Sequence, residues 1–265
     1  MPLSPVAVAE RFAPMALDAV RERSDLQDRR ESKYVVPSAM FAALAEHLVA
    51  THAVLEIDGA RGFAYRTTYL DTPDLMTYRE HRQGRRQRFK CRAREYADSG
   101  QLVFEVKLKG LRGRTVKRRL ENVPDAFDPL AGAPADFLAS CLLESYGRAV
   151  TSPLRPVLVV TYTRVTLASP DLAERLTCDS FVRFAAPAGA TAAMTAGVVI
   201  LESKSAHGDA LADRALRTLG ARPVTDCSKY CLGVTLTHPG MQANALRPLL
   251  RRYFASPEAD EQGES

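Results

Sequence analysis

Leu102-Val-Phe-Glu-Val-Lys-Leu-Lys-Gly110 is the stretch on which the fold turns. Glu105, Lys107 and Lys109 alternate with Val106 and Leu108, and a strand sends successive side chains to opposite faces. One face of this strand is therefore charged and the other aliphatic. The same pattern recurs on both sides of it: Lys90, Arg92 and Arg94 alternate in FKCRAREY (89–96), Lys117 and Arg119 in TVKRRL (115–120), Glu202 and Lys204 in VVILESKS (198–205). A single strand of this kind is a solvated sheet face. Several of them, mostly cationic, suit a long polyanion, because like charges on paired strands repel unless acids or a bound anion offset them.

Composition narrows the partners. The chain has 265 residues, 46% apolar and 25% charged, enough for one domain of moderate size or two small ones. Its net charge of +5 hides an uneven distribution. Residues 79–119 carry 15 Lys/Arg against 4 Asp/Glu, which leaves 21 bases and 27 acids elsewhere. An intensely basic block in a mildly acidic chain points to an anionic ligand. Nucleic acid is disfavoured, since Phe89, Tyr96 and Phe104 make no stacking platform and no nucleic-acid signature is present. The five scattered cysteines include no CxxC pair, which suits a reduced, cytoplasmic setting. Cys227 and Cys231 have no histidine at ligand spacing and read as packing thiols. No apolar run approaches the roughly 18 residues that cross a bilayer, so any membrane link would go through a partner.

Strands are expected at 28–36, 63–70, 86–96, 101–109, 114–120, 156–167, 174–184 and 197–203, with hairpin turns at Asp98-Ser-Gly and Gly110-Leu-Arg-Gly. Helices are expected at 17–26, 38–52 with Ser38 as N-cap, 75–83, 136–146 and 209–219, then a last helix capped by Thr225. Past Pro239 periodicity fades into an acidic end. These elements predict an α+β fold: a closed antiparallel barrel of about eight strands. Its charged face would line the lumen and its aliphatic face would lie outward, under helices.

Taken in order, RRESKY (29–34), TTYLDTPDLMTYREHR (67–82), FKCRAREY (89–96), FEVKLKG (104–110), VTYTRV (160–165), RLTCDSF (175–181), VILESKS (199–205) and CSKYCLG (227–233) resemble the VTC family. That family comprises the polyphosphate polymerase domains of the vacuolar transporter chaperone complex and their soluble bacterial relatives, within the CYTH-like triphosphate tunnel metalloenzymes. Residues 1–26 read as a leader with one surface helix and 239–265 as a largely disordered tail, and the resemblance implies a tunnel domain at 27–238 closed by a C-terminal helix. It implies that Lys33, Arg92, Arg94 and Lys107 act on the transferred phosphate. Lys90, Lys109, Lys117, Arg119, Tyr162, Arg164, Arg175, Ser228 and Lys229 would bind substrate or polyphosphate, and Glu202 would hold Mn²⁺ or Mg²⁺. His81 and His207 are taken as structural.

One departure bears on the reaction. Tunnel triphosphatases carry Glu-x-Glu-x-Lys on the first strand, and here the spacing reads Arg29-x-Glu31-x-Lys33. Hydrolysis needs a positioned, activated water, aided by metal and carboxylates. Transfer to a phosphate chain end needs charge neutralisation and in-line alignment instead. The chain therefore leans toward a polymerase that moves the γ-phosphate of ATP onto polyphosphate. The alternatives are a non-catalytic polyphosphate or nucleotide sensor and a tunnel triphosphatase. A separate membrane partner at the inner face is compatible with either class.

Overall fold

Strand pairing carries the alternation seen in the sequence into three dimensions. The protein is described by a computed structural model over residues 4–22, 30–110, 115–124, 131–150, 152–206, 208–225, 227–241, 244 and 246–254. In chain order the elements are α1 (Pro5–Ala9), β1 (Ala13–Met15), α2 (Leu17–Glu22), β2 (Arg30–Pro37), α3 (Ser38–Leu48), β3 (Ala53–Leu55), β4 (Phe63–Asp71), α4 (Met76–Arg82), β5 (Arg88–Tyr96) and β6 (Gln101–Lys109). They continue with β7 (Thr115–Leu120), α5 (Gly132–Tyr146), β8 (Arg155–Ala168), β9 (Glu174–Ala185), β10 (Thr191–Ala193), β11 (Val198–Ser205), α6 (Leu211–Thr218), α7 (Lys229–Thr237) and α8 (Arg247–Tyr253).

Eight strands follow the antiparallel path β2-β11-β9-β8-β4-β5-β6-β7, and β1, β3 and β10 attach beside it to make eleven. The α+β class is as expected, but the closed barrel is not: β2 and β7 end the path unpaired. One reason lies at the free edge of β2, where the Lys33 carbonyl accepts a hydrogen bond from Val224 N at 2.7 Å. The segment before α7 thus occupies the edge that β7 would need, and it also blunts that edge against foreign strands.

The aliphatic positions are buried under helices. Phe104, Val106 and Leu108 pack with Leu138, Cys141 and Leu142 of α5. Tyr34, Val36, Leu176, Cys178, Val199 and Leu201 join a second cluster with residues of α1, α3 and α6. On the opposite, concave side α7 lies against the sheet in a third cluster that includes Leu158, Val160, Phe184, Tyr230 and Leu232. All five cysteines are buried and reduced.

Gly233 permits that close seating. A Cβ there would collide with Leu158 Cδ2 and stand 2.6 Å from Phe184 Cδ1. Gly233→Ala is expected to lift α7 and to lower stability by about 1–3 kcal/mol, the usual range for overpacking. Urea unfolding measures this, and an unchanged midpoint would contradict the tight seating.

Several sequence-based boundaries need correction. The N-terminal segment packs on the core before its surface helix α2: Val8, Ala9 and Phe12 are buried and β1 pairs with β3. Apolar side chains at the start of the chain found a partner in α3, which a linear reading does not reveal. The expected tail also gains structure, for α8 forms and buries Leu249, with Leu246 and Phe254 buried at its ends. Residues 255–265 lie outside the described residues. Helix α3 is preceded by Pro37, not capped by Ser38, and Ser228 rather than Thr225 caps α7. Arg29, His207, the Leu111–Gly113 part of the expected turn and Arg114 at the start of the next expected strand also fall outside the described residues.

Candidate functional site

Register brings the charged positions into rows across the concave face. Lys107 stands between Lys90 and Lys117, and Glu105 between Arg92 and Arg119. Glu105 is only 2% exposed and is the acid at the centre of this group. It accepts hydrogen bonds from Arg92 Nε at 2.6 Å and Arg119 Nε at 3.1 Å, pairs with Lys117, and has Arg94 at 3.7 Å. Burial pushes its pKa up, but Arg92, Arg94 and Lys117 outweigh burial and hold the carboxyl well below its usual range. Lys109 donates to Thr115 Oγ1 at 3.2 Å.

A second cluster forms where β2, β11 and β9 meet. Glu202 is paired with Lys33 across one strand boundary and with Thr177 across the other, while Lys204 faces Glu31 and Arg175. Lys33 contacts Glu31 and lies 3.9 Å from Glu202. Lys204 contacts Glu202 and lies 3.8 Å from Glu31. Acids and lysines thus alternate around a small ring. Burial raises the Glu202 pKa, yet Lys204, Lys33 and Arg164 draw it well below the usual value. Lys107 is lowered by burial and by Lys33 and Lys204, against the pull of Glu31 and Glu202. Glu31 belongs to β2, one end of the path, and Lys107 to β6, next to the other end, so the sheet curls until the two share one electrostatic environment.

The third cluster centres on Asp179, an acid that was not singled out from the sequence as a site residue. It accepts Arg164 Nε at 2.6 Å and Arg164 Nη2 at 2.8 Å, and it pairs with Lys229. Arg164 and Lys229 both lie over the Tyr162 ring, at 5.3 and 4.7 Å, and Arg94 lies over Tyr65 at 5.4 Å. The Tyr162 hydroxyl is raised by burial but lowered further by Arg94 and Arg164, for a net lowering. Asp179 lies two positions from Thr177 and four from Arg175, so the alternation in RLTCDSF was the signal that could have exposed it.

Burial works against the charged form of Asp179, and Arg164 and Lys229 bring its pKa down to about 2. A depressed carboxyl contributes stability above its unfolded pKa and loses it as pH falls through the folded one. The stability gap between the wild type and Asp179→Asn is therefore expected to narrow by roughly 2 kcal/mol from pH 5 to pH 2. A gap that stays constant in urea titrations across that range would refute the assignment.

At the N-terminus of α7, Ser228 Oγ accepts from Cys231 N at 3.1 Å and from Lys90 Nζ at 3.0 Å. Burial first, then Lys107, Lys33 and Arg92, push Lys90 down to about 7. A cavity of about 420 Å³ opens beside this pair, lined among others by Glu31, Lys33, His81, Ser228 and Cys231. His81 is therefore placed at the site and not merely in the framework. Burial and then Lys90, Arg88 and Lys107 push it down to about 2, so the ring is neutral. Asp71 anchors the assembly: it accepts from Thr77 N at 2.8 Å and Tyr78 N at 2.9 Å of α4, and from the Tyr230 hydroxyl of α7.

Among the described residues no three His, Cys, Asp or Glu side chains converge on one point as a metal cage. Glu31 and Glu202 are nevertheless close enough to share Lys33 and Lys204. A pair of carboxylates supplemented by phosphate oxygens is a donor set that Mg²⁺ accepts, so the residues fit a hard cation carried with a phosphate ligand.

No curated protein is found to match the chain. Among solved structures, a "putative adenylate cyclase" of Bacillus halodurans is 17% identical, with a TM-score of 0.49, and the match covers 76% of this chain and 96% of that one. A "putative adenylyl cyclase" of Hippeastrum, described as having a dominant triphosphatase activity, is 13% identical with a TM-score of 0.46, over 77% and 94% of the two chains. The family model of the VTC domain matches residues 28–238. By that match, which spans the whole concave face, the chain belongs to the VTC domain family.

Proposed function

We propose that this chain is a metal-dependent, ATP-using polyphosphate polymerase. The observation that carries the reading is the charge balance of the concave face among the described residues. Lys33, Lys90, Arg92, Arg94, Lys107, Lys109, Lys117, Arg119, Arg164, Arg175, Lys204 and Lys229 share that face with fewer carboxylates, Glu31, Asp71, Glu105, Asp179 and Glu202. A string of phosphates is the ligand that neutralises such an excess along a path, and membership of the VTC domain family supports it.

In this reading Lys33, Arg92, Arg94 and Lys107 grip the γ-phosphate, while Arg164, Arg175 and Lys229 hold the receiving end. Lys90, Lys109, Lys117, Arg119, Tyr162 and Ser228 extend the track. The acceptor is already anionic, so the residues need only align it and cancel charge that builds on the transferred group. Glu202, with Glu31, would hold Mn²⁺ or Mg²⁺, which supplies charge neutralisation at the phosphate oxygens when bound. No helix among the described residues is long and apolar enough to cross a membrane. A separate membrane protein would then be the route by which product leaves a cytoplasmic site.

The test is incubation with ATP and Mn²⁺, followed by gel analysis of long-chain polyphosphate. Lys107→Ala is expected to reduce product about a hundredfold, the usual effect of removing one transition-state donor. Phosphate released without polymer would identify a triphosphatase. Salt-sensitive polyphosphate binding without ATP turnover would identify a sensor.

A further inference from the structure

A phosphate chain end needs no base, but Ser228, which lines the cavity beside α7, already has an amine, that of Lys90, in contact with its hydroxyl. We infer that Ser228 is itself a phosphoryl acceptor, taking the terminal phosphoryl group of a nucleoside triphosphate while Lys90 receives its proton. The inference rests on the polymerase reading and answers what that reading leaves open, namely where a first phosphate is attached.

Ser228 Oγ and Lys90 Nζ are 3.0 Å apart, within the reach that a general base requires of its nucleophile. Lys90 is kept on one side by the Tyr230 ring, 5.5 Å away, and by Cys231 Sγ at 3.9 Å, with no carboxylate of the described residues among its contacts. Burial and the nearby cations that lower it to about 7 leave a large neutral fraction at physiological pH, as a proton acceptor must have. Ser228 opens onto the cavity that Lys33 also lines, so a phosphate gripped by Lys33 lies in the same space as the hydroxyl. His81 also lines that cavity, and its Nδ1 has no hydrogen-bond partner among the described residues. The alternative is that Ser228 merely caps α7, which its bond from Cys231 N satisfies. A cap alone, however, does not call for a half-buried lysine at hydrogen-bond distance.

The step balances without an added reagent. The Oγ–P bond forms, the bond from the γ-phosphorus to the β–γ bridging oxygen breaks, and the nucleoside diphosphate leaves. The Ser228 proton passes to Lys90. The resulting phosphoserine sits at a helix N-terminus among lysines, where its charge is favoured.

The experiment is rapid acid quench of the full chain with limiting ATP and Mn²⁺, followed by denaturing intact-mass analysis and phosphopeptide mapping. The expected result is a gain of one phosphoryl mass on Ser228. Ser228→Asn and Ser228→Gly both keep a competent cap, and both should lose the adduct while the helix persists. Lys90→Arg keeps the charge but cannot accept the proton, and should slow adduct formation about a hundredfold. Polymer made with no Ser228 adduct, or an adduct that survives in Ser228→Asn, overturns this inference and leaves the polymerase reading standing. An unchanged adduct rate in Lys90→Arg overturns the part given to Lys90. An adduct without polymer supports the inference and refutes the polymerase. Absence of both adduct and ATP turnover refutes the two together.

Discussion

Glu105→Ala is expected to be among the most damaging single changes on the concave face, lowering stability by about 3 kcal/mol in urea unfolding. Glu105 is the acid shared by Arg92, Arg94, Lys117 and Arg119. Without it, four cations on the two strands that flank β6 repel one another with no counter-charge between them. The figure sits at the low end for a broken buried pair because the Lys117 and Arg119 side chains are 34% and 44% exposed and water screens them. Added tripolyphosphate should restore more stability to the variant than it gives the wild type, since a ligand that binds only the folded state stabilises it by mass action. A loss below about 1 kcal/mol would mean that Glu105 is not the counter-ion on which the cluster depends.

Arg94→Ala is expected to leave the fold standing and to reduce ATP-dependent polymer about 10²–10³-fold. Arg94 is 6% exposed, lies 3.7 Å from Glu105, and its Nε is buried with no hydrogen-bond partner among the described residues. Arg92 gives Glu105 a hydrogen bond from Nε, so Glu105 retains a counter-ion when Arg94 is removed. The donor left over on Arg94 is what a phosphate oxygen would take up. Arg94→Lys should not rescue, because an ammonium cannot reproduce the planar fork of a guanidinium. Polymer undiminished in Arg94→Ala, measured beside a melting curve that verifies folding, would remove Arg94 from the transfer site.

Much of the site was legible because strand alternation is a local property. Lys90, Arg92 and Arg94 share a face by spacing alone, and so do Glu105 with Lys107 and Glu202 with Lys204. The aliphatic positions between them went under helices for the same reason. The role of Asp179 was not legible, because its partners Arg164 and Lys229 come from β8 and α7, 15 and 50 residues away. Nor was that of His81, which is notable only once α4, β2 and α7 bound one cavity.

The amino-acid sequence by itself determined which side chains share a face, the run of antiparallel strands and the family, since each depends on residue spacing or on motif order. Tertiary structure alone decided that the sheet stays open, because the segment before α7 takes the edge of β2. It also decided that the N-terminal segment and α8 pack apolar side chains into the core, and which acid each cation meets. Those outcomes depend on distances between remote segments, and the pattern within one segment carries no information about them.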